Sequence, residues 1–141
     1  MMWTTQPRCD RVGLAAIEAG EGHPVLLLHG GGLRAEAWMA QINALRHSYR
    51  VIAPDMPGHG TSPRLRGRAA LDDYVQATLP LVQDLPEPPM VVGHSMGAMI
   101  ALELAARAPA HVCAVVALNA IYRRSPRAAD AVRARAAHQA G

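Results

Sequence analysis

The sequence contains no phenylalanine and no lysine, and its aromatic residues are two tryptophans and three tyrosines. Its 14 positively charged residues are all arginines and are scattered among 11 acidic residues. The difference gives a net charge of +3. Proteins that bind nucleic acids usually combine a concentrated basic patch with aromatic side chains that stack on bases. Because this chain has neither feature, we expect no nucleic-acid partner.

Cysteine is also scarce, since the sequence has only Cys9 and Cys113, which are far apart along the chain. Cys113 falls in a segment that reads as a core strand, which disfavours a disulfide. We therefore expect both cysteines to be reduced and buried as small apolar side chains.

Long apolar segments are absent as well. The first ten residues have no apolar run after a basic segment, so no signal peptide is visible. No stretch reaches the roughly 18 apolar residues of a membrane-spanning helix. These absences predict a cytoplasmic protein without a membrane partner.

What the sequence does contain is enough apolar surface for one domain, because 50% of its residues are hydrophobic. Short apolar runs of strand character alternate with segments of helical character, and Pro80 predicts a kink or a break into two helices. The strand-like segments are 12–18, 24–28, 51–53, 90–92 and 112–118, and the helical ones are 36–46, 69–85 and 98–107. This alternation predicts an α/β fold with a mostly parallel sheet flanked by helices on both faces.

The most informative segment is residues 93–97, Gly-His-Ser-Met-Gly, between an apolar strand and a helix. A sharp strand-to-helix turn exposes a serine hydroxyl there, and the flanking glycines leave room for close approach. The free N–H groups and the dipole of the helix point to where an oxyanion would develop. Ser95 is therefore a candidate nucleophile.

Glycine-rich turns follow two other predicted strands, at residues 29–32 (His-Gly-Gly-Gly) and 55–60 (Asp-Met-Pro-Gly-His-Gly). Such a loop before a helix can bind phosphate, but the first segment lacks the Lys-Ser/Thr ending and the Gly-x-Gly-x-x-Gly spacing of nucleotide-binding loops. An oxyanion hole therefore fits better than a phosphate site.

With these three segments in this order, residues 10–120 resemble the α/β-hydrolase superfamily, in particular its capped single-domain serine hydrolases. The resemblance implies that Ser95 is the nucleophile, with the backbone N–H of Met96 and that of Gly31 or Gly32 forming the oxyanion hole. It also implies that Asp55 holds its loop. Chemistry of this kind needs no cofactor or metal, and the expected partner is a small-molecule carbonyl substrate.

The sequence departs from the family where the acid and histidine of the triad should follow on later strands. The resemblance divides the chain into the N-terminal part of the core, residues 1–124, and a helical tail, residues 125–141, that begins a lid. Asp130 and His138 imitate the order of a triad, but both lie on this tail, so their placement near Ser95 is unsupported. The strand ending at Leu118 is followed by Asn119, not by a carboxylate.

The remaining histidines near these turns are weaker candidates for catalysis. His94 adjoins Ser95 and points in another direction, so it is a poor base. His29 and His59 are interpreted as side chains that brace the loops, because polar atoms in buried turns need partners. A metal site built from them and Asp55 is disfavoured because the ligand spacing is weak.

Two functional hypotheses follow. The first is a serine hydrolase that acts on an ester, thioester or activated carbonyl through an acyl-enzyme, and that is inactive as this fragment. The second is a non-catalytic module that binds a ligand or a partner, and a truncated product without independent function is a third reading. On the family strand order, residues 112–118 form a bare apolar sheet edge through which the chain self-associates.

Overall fold

A computed structural model describes residues 4–120, so the predicted tail at 125–141 lies outside the described part of the chain. Six strands form the sheet: β1 (Cys9–Arg11), β2 (Leu14–Ala19), β3 (Pro24–Leu28), β4 (Arg50–Pro54), β5 (Met90–His94) and β6 (Ala114–Leu118). Three helices join them: α1 (Met39–Leu45), α2 (Leu71–Gln83) and α3 (Met96–Arg107). Single 3-10 turns precede α1, at Ala35–Trp38, and β6, at Pro109–His111.

The sheet has the order β1-β2-β4-β3-β5-β6. The four strands β4, β3, β5 and β6 are parallel, whereas β2 pairs antiparallel with β4 and β1 pairs antiparallel with β2. Parallel strands bring all their carboxyl ends to one edge of the sheet, which is where the turns after β3, β4 and β5 meet. The predicted mostly parallel sheet is confirmed, and only the short strand β1 was missed.

The core lies on both faces of the sheet because β3 is apolar at every position. Its alternating side chains divide between the faces. Leu26 and Leu28 pack with α2 and α3, while Val25 and Leu27 pack with Trp38 and α1. Helices therefore cover both faces, as the alternation of segments predicts.

Helix α2 is a single helix that contains Pro80, so of the kink or break predicted there, the break into two helices does not occur. Proline removes its own N–H donor, but its carbonyl still accepts a hydrogen bond. Here the N–H of Asp84 donates to the Pro80 oxygen at 2.9 Å. Since Pro80 lies near the end of α2 and the helix buries Val75 and Leu81 against the core, the last turn persists.

Both cysteines are exposed, so the expectation that they are buried is wrong. Cys9 lies on β1 and Cys113 directly precedes β6, and these are the two outermost strands of the sheet. Sequence periodicity identifies a strand but not its place in the sheet, and an apolar strand such as β6 reads as buried even when it is an edge.

The two edge strands of the sheet differ in how well they are protected against pairing with another chain. β1 is three residues long and carries Asp10 and Arg11, which is how natural edge strands avoid pairing. β6 is uncharged and has only β5 as a neighbour among residues 4–120. Its side chains Val116 and Leu118 are 41% and 43% exposed.

Within the described part of the chain, no helix is long and apolar enough to cross a bilayer.

We expect the chain to form oligomers through β6, because an apolar, unpaired strand is a template for pairing with another chain. Val116→Lys places a charge on the exposed face of this edge and should shift the chain towards the monomer in light scattering. Val12→Lys is the matched control, since Val12 is equally exposed at 42% but lies in the β1–β2 turn. A monodisperse monomer of the unmodified chain would contradict the prediction.

Candidate active site

Ser95 occupies the turn between β5 and α3 in a conformation that L-residues rarely adopt, with φ 55° and ψ −113°. Such backbone strain costs about 1–3 kcal/mol and persists only where surrounding contacts hold it. The Ser95 N–H donates to the Leu118 carbonyl at 2.9 Å, which joins the turn to the end of β6. The Ser95 carbonyl accepts hydrogen bonds from the N–H groups of Ala98 at 3.0 Å and Met99 at 3.2 Å, which begin α3.

The glycines on either side of Ser95 are required by packing. A Cβ on Gly93 would lie 2.1 Å from the Gly97 carbonyl oxygen. A Cβ on Gly97 would lie 2.1 Å from the carbonyl oxygen of Leu28 in β3. Helix α3 can therefore approach the strands closely only because both side chains are missing, as the sequence pattern predicts.

The glycine-rich loop after β3 lies against this turn. A Cβ on Gly30 would be 3.4 Å from Ser95 Cβ, and one on Gly31 would be 3.9 Å from Met96 Sδ. The N–H of Gly32 donates to His59 Nε2 at 3.0 Å. The hydrogen bonds among residues 4–120 leave the N–H of Gly31 without a partner.

His29 and His59 brace this loop against the loop after β4, which confirms their interpretation. The Nδ1–H of His29 donates to the Gly30 carbonyl at 2.8 Å, and its Nε2 accepts from the N–H of Met56 at 2.9 Å. His59 donates through Nδ1–H to the Pro57 carbonyl at 3.0 Å. All four ring nitrogens are occupied, and no cluster of His, Cys, Asp or Glu within residues 4–120 is suited to a metal.

Asp55 is fully buried at the end of β4 and joins three segments of the chain. One oxygen accepts from the N–H of Ala35 at 2.8 Å, and the other accepts from that of Thr61 at 3.0 Å. Arg8 Nε donates to Asp55 at 2.9 Å. Burial raises the pKa of Asp55, but the hydrogen bonds from Arg8 and the two backbone donors outweigh it and leave the pKa lowered.

Arg8 also binds Glu36, which is buried at the entrance to α1. Arg8 Nη1 lies 2.6 Å from Glu36 Oε2, and Arg34 Nε lies 2.7 Å from Glu36 Oε1. Burial again opposes ionisation, yet the Arg8 hydrogen bond holds the pKa of Glu36 well below its usual range. Sequence reasoning missed both Arg8 and Glu36, because they are 28 residues apart and neither belongs to a motif.

His94 is not hydrogen-bonded to the Ser95 hydroxyl and therefore is not placed to act as its base. Asn119 Nδ2 lies 3.2 Å from His94 Nε2, and since an amide nitrogen only donates, that ring nitrogen is the acceptor. Within residues 4–120, no imidazole is hydrogen-bonded to the Ser95 hydroxyl. Asp130 and His138, which imitate a triad in sequence order, lie outside the described residues.

A pocket of about 260 Å³ adjoins the turn on the α1 side of the sheet. Its lining is mostly apolar and consists of His29, Gly30, Leu33, Ala37, Trp38, Gln41, His94 and Leu118. Among residues 4–120, the buried indole Nε1–H of Trp38 has no hydrogen-bond partner. A concave and mostly apolar pocket with a few polar side chains is typical of a small-molecule site.

Removing the Arg8 guanidinium would leave the buried Asp55 carboxylate without a cationic partner and Glu36 with Arg34 alone, so Arg8→Ala should destabilise the fold by about 3–5 kcal/mol. Arg66→Ala is the control, because Arg66 is exposed and should change stability by less than about 0.5 kcal/mol. Urea unfolding at a fixed protein concentration measures both variants. Equal stability of the two would show that the buried cluster does not hold the loops.

Burial lowers the pKa of His29 from 6.5 to about 4, so the unfolded chain binds a proton more readily than the folded chain. The stability contributed by neutral His29 is complete above pH 6.5 and is lost as the pH falls towards 4. Between about pH 7 and pH 5 we expect a loss of about 2 kcal/mol. The carboxylates with lowered pKa contribute losses mainly below this window.

Urea unfolding at the two pH values tests this, and His29→Gln should flatten the dependence whatever its effect at neutral pH. His111→Gln is the matched control, because His111 is exposed and should keep the dependence of the unmodified chain. The prediction is wrong if His29→Gln retains the full loss of stability between the two pH values.

The sequence of this chain is similar to those of known hydrolases. The sequence profile of the α/β hydrolase fold matches residues 23–137. The chain is 41% identical over 120 residues to the (E)-2-((N-methylformamido)methylene)succinate hydrolase of Acinetobacter baylyi, covering 84% of this chain and 46% of that protein. It is 38% identical to the pimeloyl-[acyl-carrier protein] methyl ester esterase of Methylococcus capsulatus, covering 76% of this chain and 41% of the esterase.

Solved structures agree with the sequence comparisons. The crystal structure of E-2-(acetamidomethylene)succinate hydrolase superposes with a TM-score of 0.83 and 29% identity, over 89% of this chain and 47% of that one. The chain therefore spans less than half the length of each of these three relatives. Because the profile matches well over half of its residues, the chain belongs to the α/β hydrolase fold family.

Proposed function

We propose that this chain carries the nucleophile of a serine hydrolase that acts on an ester, thioester or activated carbonyl through an acyl-enzyme. The observation that carries the proposal is the strained backbone of Ser95 at a strand-to-helix turn. Strain of this kind exposes a hydroxyl for attack and is stored at functional sites. Relatives named as hydrolases and esterases support the reaction class.

In the proposed reaction, the Ser95 hydroxyl gives its proton to a base as its oxygen attacks the carbonyl carbon, and negative charge develops on the carbonyl oxygen. When the carbonyl re-forms, the bond to the leaving group breaks, the leaving group departs with the proton, and the acyl-enzyme remains. Met96 begins α3, so its N–H is free to donate and the helix dipole favours the charge. The second donor is assigned to Gly31, because the N–H of Gly32 already binds His59. Each such donor stabilises the transition state by about 2.7–4 kcal/mol.

The base and the acid of the reaction must come from residues other than those described around Ser95. His94 accepts a hydrogen bond from Asn119, and no other imidazole reaches the Ser95 hydroxyl within residues 4–120. A serine without a base is a weak nucleophile. We therefore propose that the 141-residue chain is inactive by itself.

The partner proposed for this site is a small-molecule carbonyl substrate, and acyl transfer by a serine needs no cofactor or metal. The cytoplasmic location expected from the sequence, and the absence of nucleic-acid and membrane partners, stay predictions.

A non-catalytic binding module is the second candidate function. The mostly apolar pocket beside the turn is the observation that favours it, because a small molecule could bind there without reacting. This candidate keeps the turn geometry but assigns no role to the Ser95 hydroxyl.

Two assays test the proposal. In a polypeptide that joins this chain to the half bearing the acid and histidine of a related hydrolase, a fluorophosphonate probe should label Ser95, and Ser95→Ala should abolish the labelling. Ser48→Ala is the control, because Ser48 is exposed and follows α1, outside the site. Failure to label Ser95, when a known serine esterase is labelled alongside, would contradict the nucleophile.

The isolated 141-residue chain should hydrolyse a p-nitrophenyl ester no faster than its Ser95→Ala variant, because no imidazole among residues 4–120 is hydrogen-bonded to the Ser95 hydroxyl. Turnover that Ser95→Ala abolishes would show that the isolated chain is active, and would remove the non-catalytic alternative.

A further inference from the structure

Three reactive side chains meet at the edge of the sheet opposite Ser95. His23 directly precedes β3, Glu87 lies in the turn before β5, and Cys113 directly precedes β6. These strands are neighbours in the order β3-β5-β6 and run parallel, so their amino ends lie side by side. Residues that are far apart in sequence are thereby brought to one place by the strand register.

The backbone holds this cluster in position. The N–H of Cys113 donates to the Pro89 carbonyl at 3.0 Å, which ties the start of β6 to the turn that carries Glu87. The carbonyl of His23 accepts from the N–H of Arg50 at 3.2 Å, at the start of β4. The side chains therefore extend from fixed points on neighbouring strands.

The side chains of Glu87, His23 and Cys113 are connected in series by two hydrogen bonds. His23 Nδ1 lies 3.1 Å from Glu87 Oε2, and His23 Nε2 lies 3.5 Å from Cys113 Sγ. With Nδ1–H donating to the carboxylate, Nε2 is left to accept the thiol proton. This is the arrangement of nucleophile, base and orienting carboxylate that activates a thiol. All three remain accessible, with His23 41% and Glu87 63% exposed at the side chain and Cys113 exposed.

We propose that Cys113, His23 and Glu87 form a thiol-activating relay, and that Cys113 is a site of exchange with small-molecule disulfides. His23 Nε2 takes the thiol proton, and the Cys113 thiolate attacks one sulfur of the disulfide. The disulfide bond breaks as the Cys113 mixed disulfide forms, and the other sulfur leaves as a thiolate that takes the proton back from the imidazolium. The disulfide is the only oxidant, and the relay is independent of the function proposed for Ser95.

The other cysteine gives an internal comparison. Cys9 is also exposed and free, but its Sγ lies 3.5 Å from the Ala16 carbonyl and 3.6 Å from Glu18 Oε2. Burial, and then the Glu18 carboxylate, raise the pKa of the Cys9 thiol. Cys9 thus lies against oxygen acceptors, whereas Cys113 lies against an imidazole nitrogen that can act as a base.

The test uses the full 141-residue chain in two forms, Cys9→Ser, which keeps only Cys113, and Cys113→Ser, which keeps only Cys9. Each reacts with 5,5′-dithiobis(2-nitrobenzoate), and the released aromatic thiolate gives the second-order rate constant at neutral pH. We expect Cys113 to react at least about tenfold faster than Cys9 in the folded chain and at a similar rate in guanidinium, where the relay is lost.

Two substitutions in the Cys9→Ser form separate the relay from simple exposure. His23→Gln should slow Cys113 by at least about fivefold, and Glu87→Gln should slow it by a smaller factor, because the amide still accepts from His23. Circular dichroism melting confirms that both fold. The proposal is overturned if the folded rates of Cys113 and Cys9 differ by less than about tenfold, or if His23→Gln leaves the rate of Cys113 unchanged.

Discussion

The buried carboxylate of Asp55 is the interaction on which the rest of the site depends. A charge taken out of water is strongly unfavourable unless hydrogen-bond donors surround it, and here they come from Arg8, Ala35 and Thr61. These donors belong to the segment before β1, the entrance to α1 and the loop after β4. None of the three can move away without exposing an uncompensated charge, so their positions are coupled.

The strained serine depends on the same framework through β3. The carbonyl of Leu28 sets how closely α3 can approach, and the next residue, His29, begins the loop that lies against Ser95. His29 and His59 then fix this loop to the segment that Asp55 organises. Strain of about 1–3 kcal/mol at one residue can persist because the strand, the helix and both loops oppose its release. Placement of the nucleophile is thus a property of the whole carboxyl edge of the sheet.

Much of the fold was predictable because its signals are local. Apolar runs marked the parallel strands, and Gly93 and Gly97 marked the close approach of a helix. The contacts of Arg8 with Asp55 and of Cys113 with His23 were not predictable, since they span 47 and 90 residues and follow no spacing rule. Such pairs arise from strand order, which periodicity does not encode. The same limit explains why Cys113 was expected to be buried: by its apolar pattern alone, an edge strand cannot be told from a central strand.

The strand order also places two candidate reactive sites at opposite edges of the sheet, Ser95 at one and Cys113 at the other. At the carboxyl edge, Ser95 has a strained backbone and nearby backbone donors, but no imidazole among residues 4–120 to take its proton. At the amino edge, Cys113 already has a base and an orienting carboxylate from neighbouring strands. The difference follows from geometry: parallel strands β3, β5 and β6 suffice to assemble the thiol cluster. At the opposite edge, the strands and loops of residues 4–120 bring no imidazole into hydrogen-bonding contact with the Ser95 hydroxyl, so the same strand order completes one cluster of side chains and not the other.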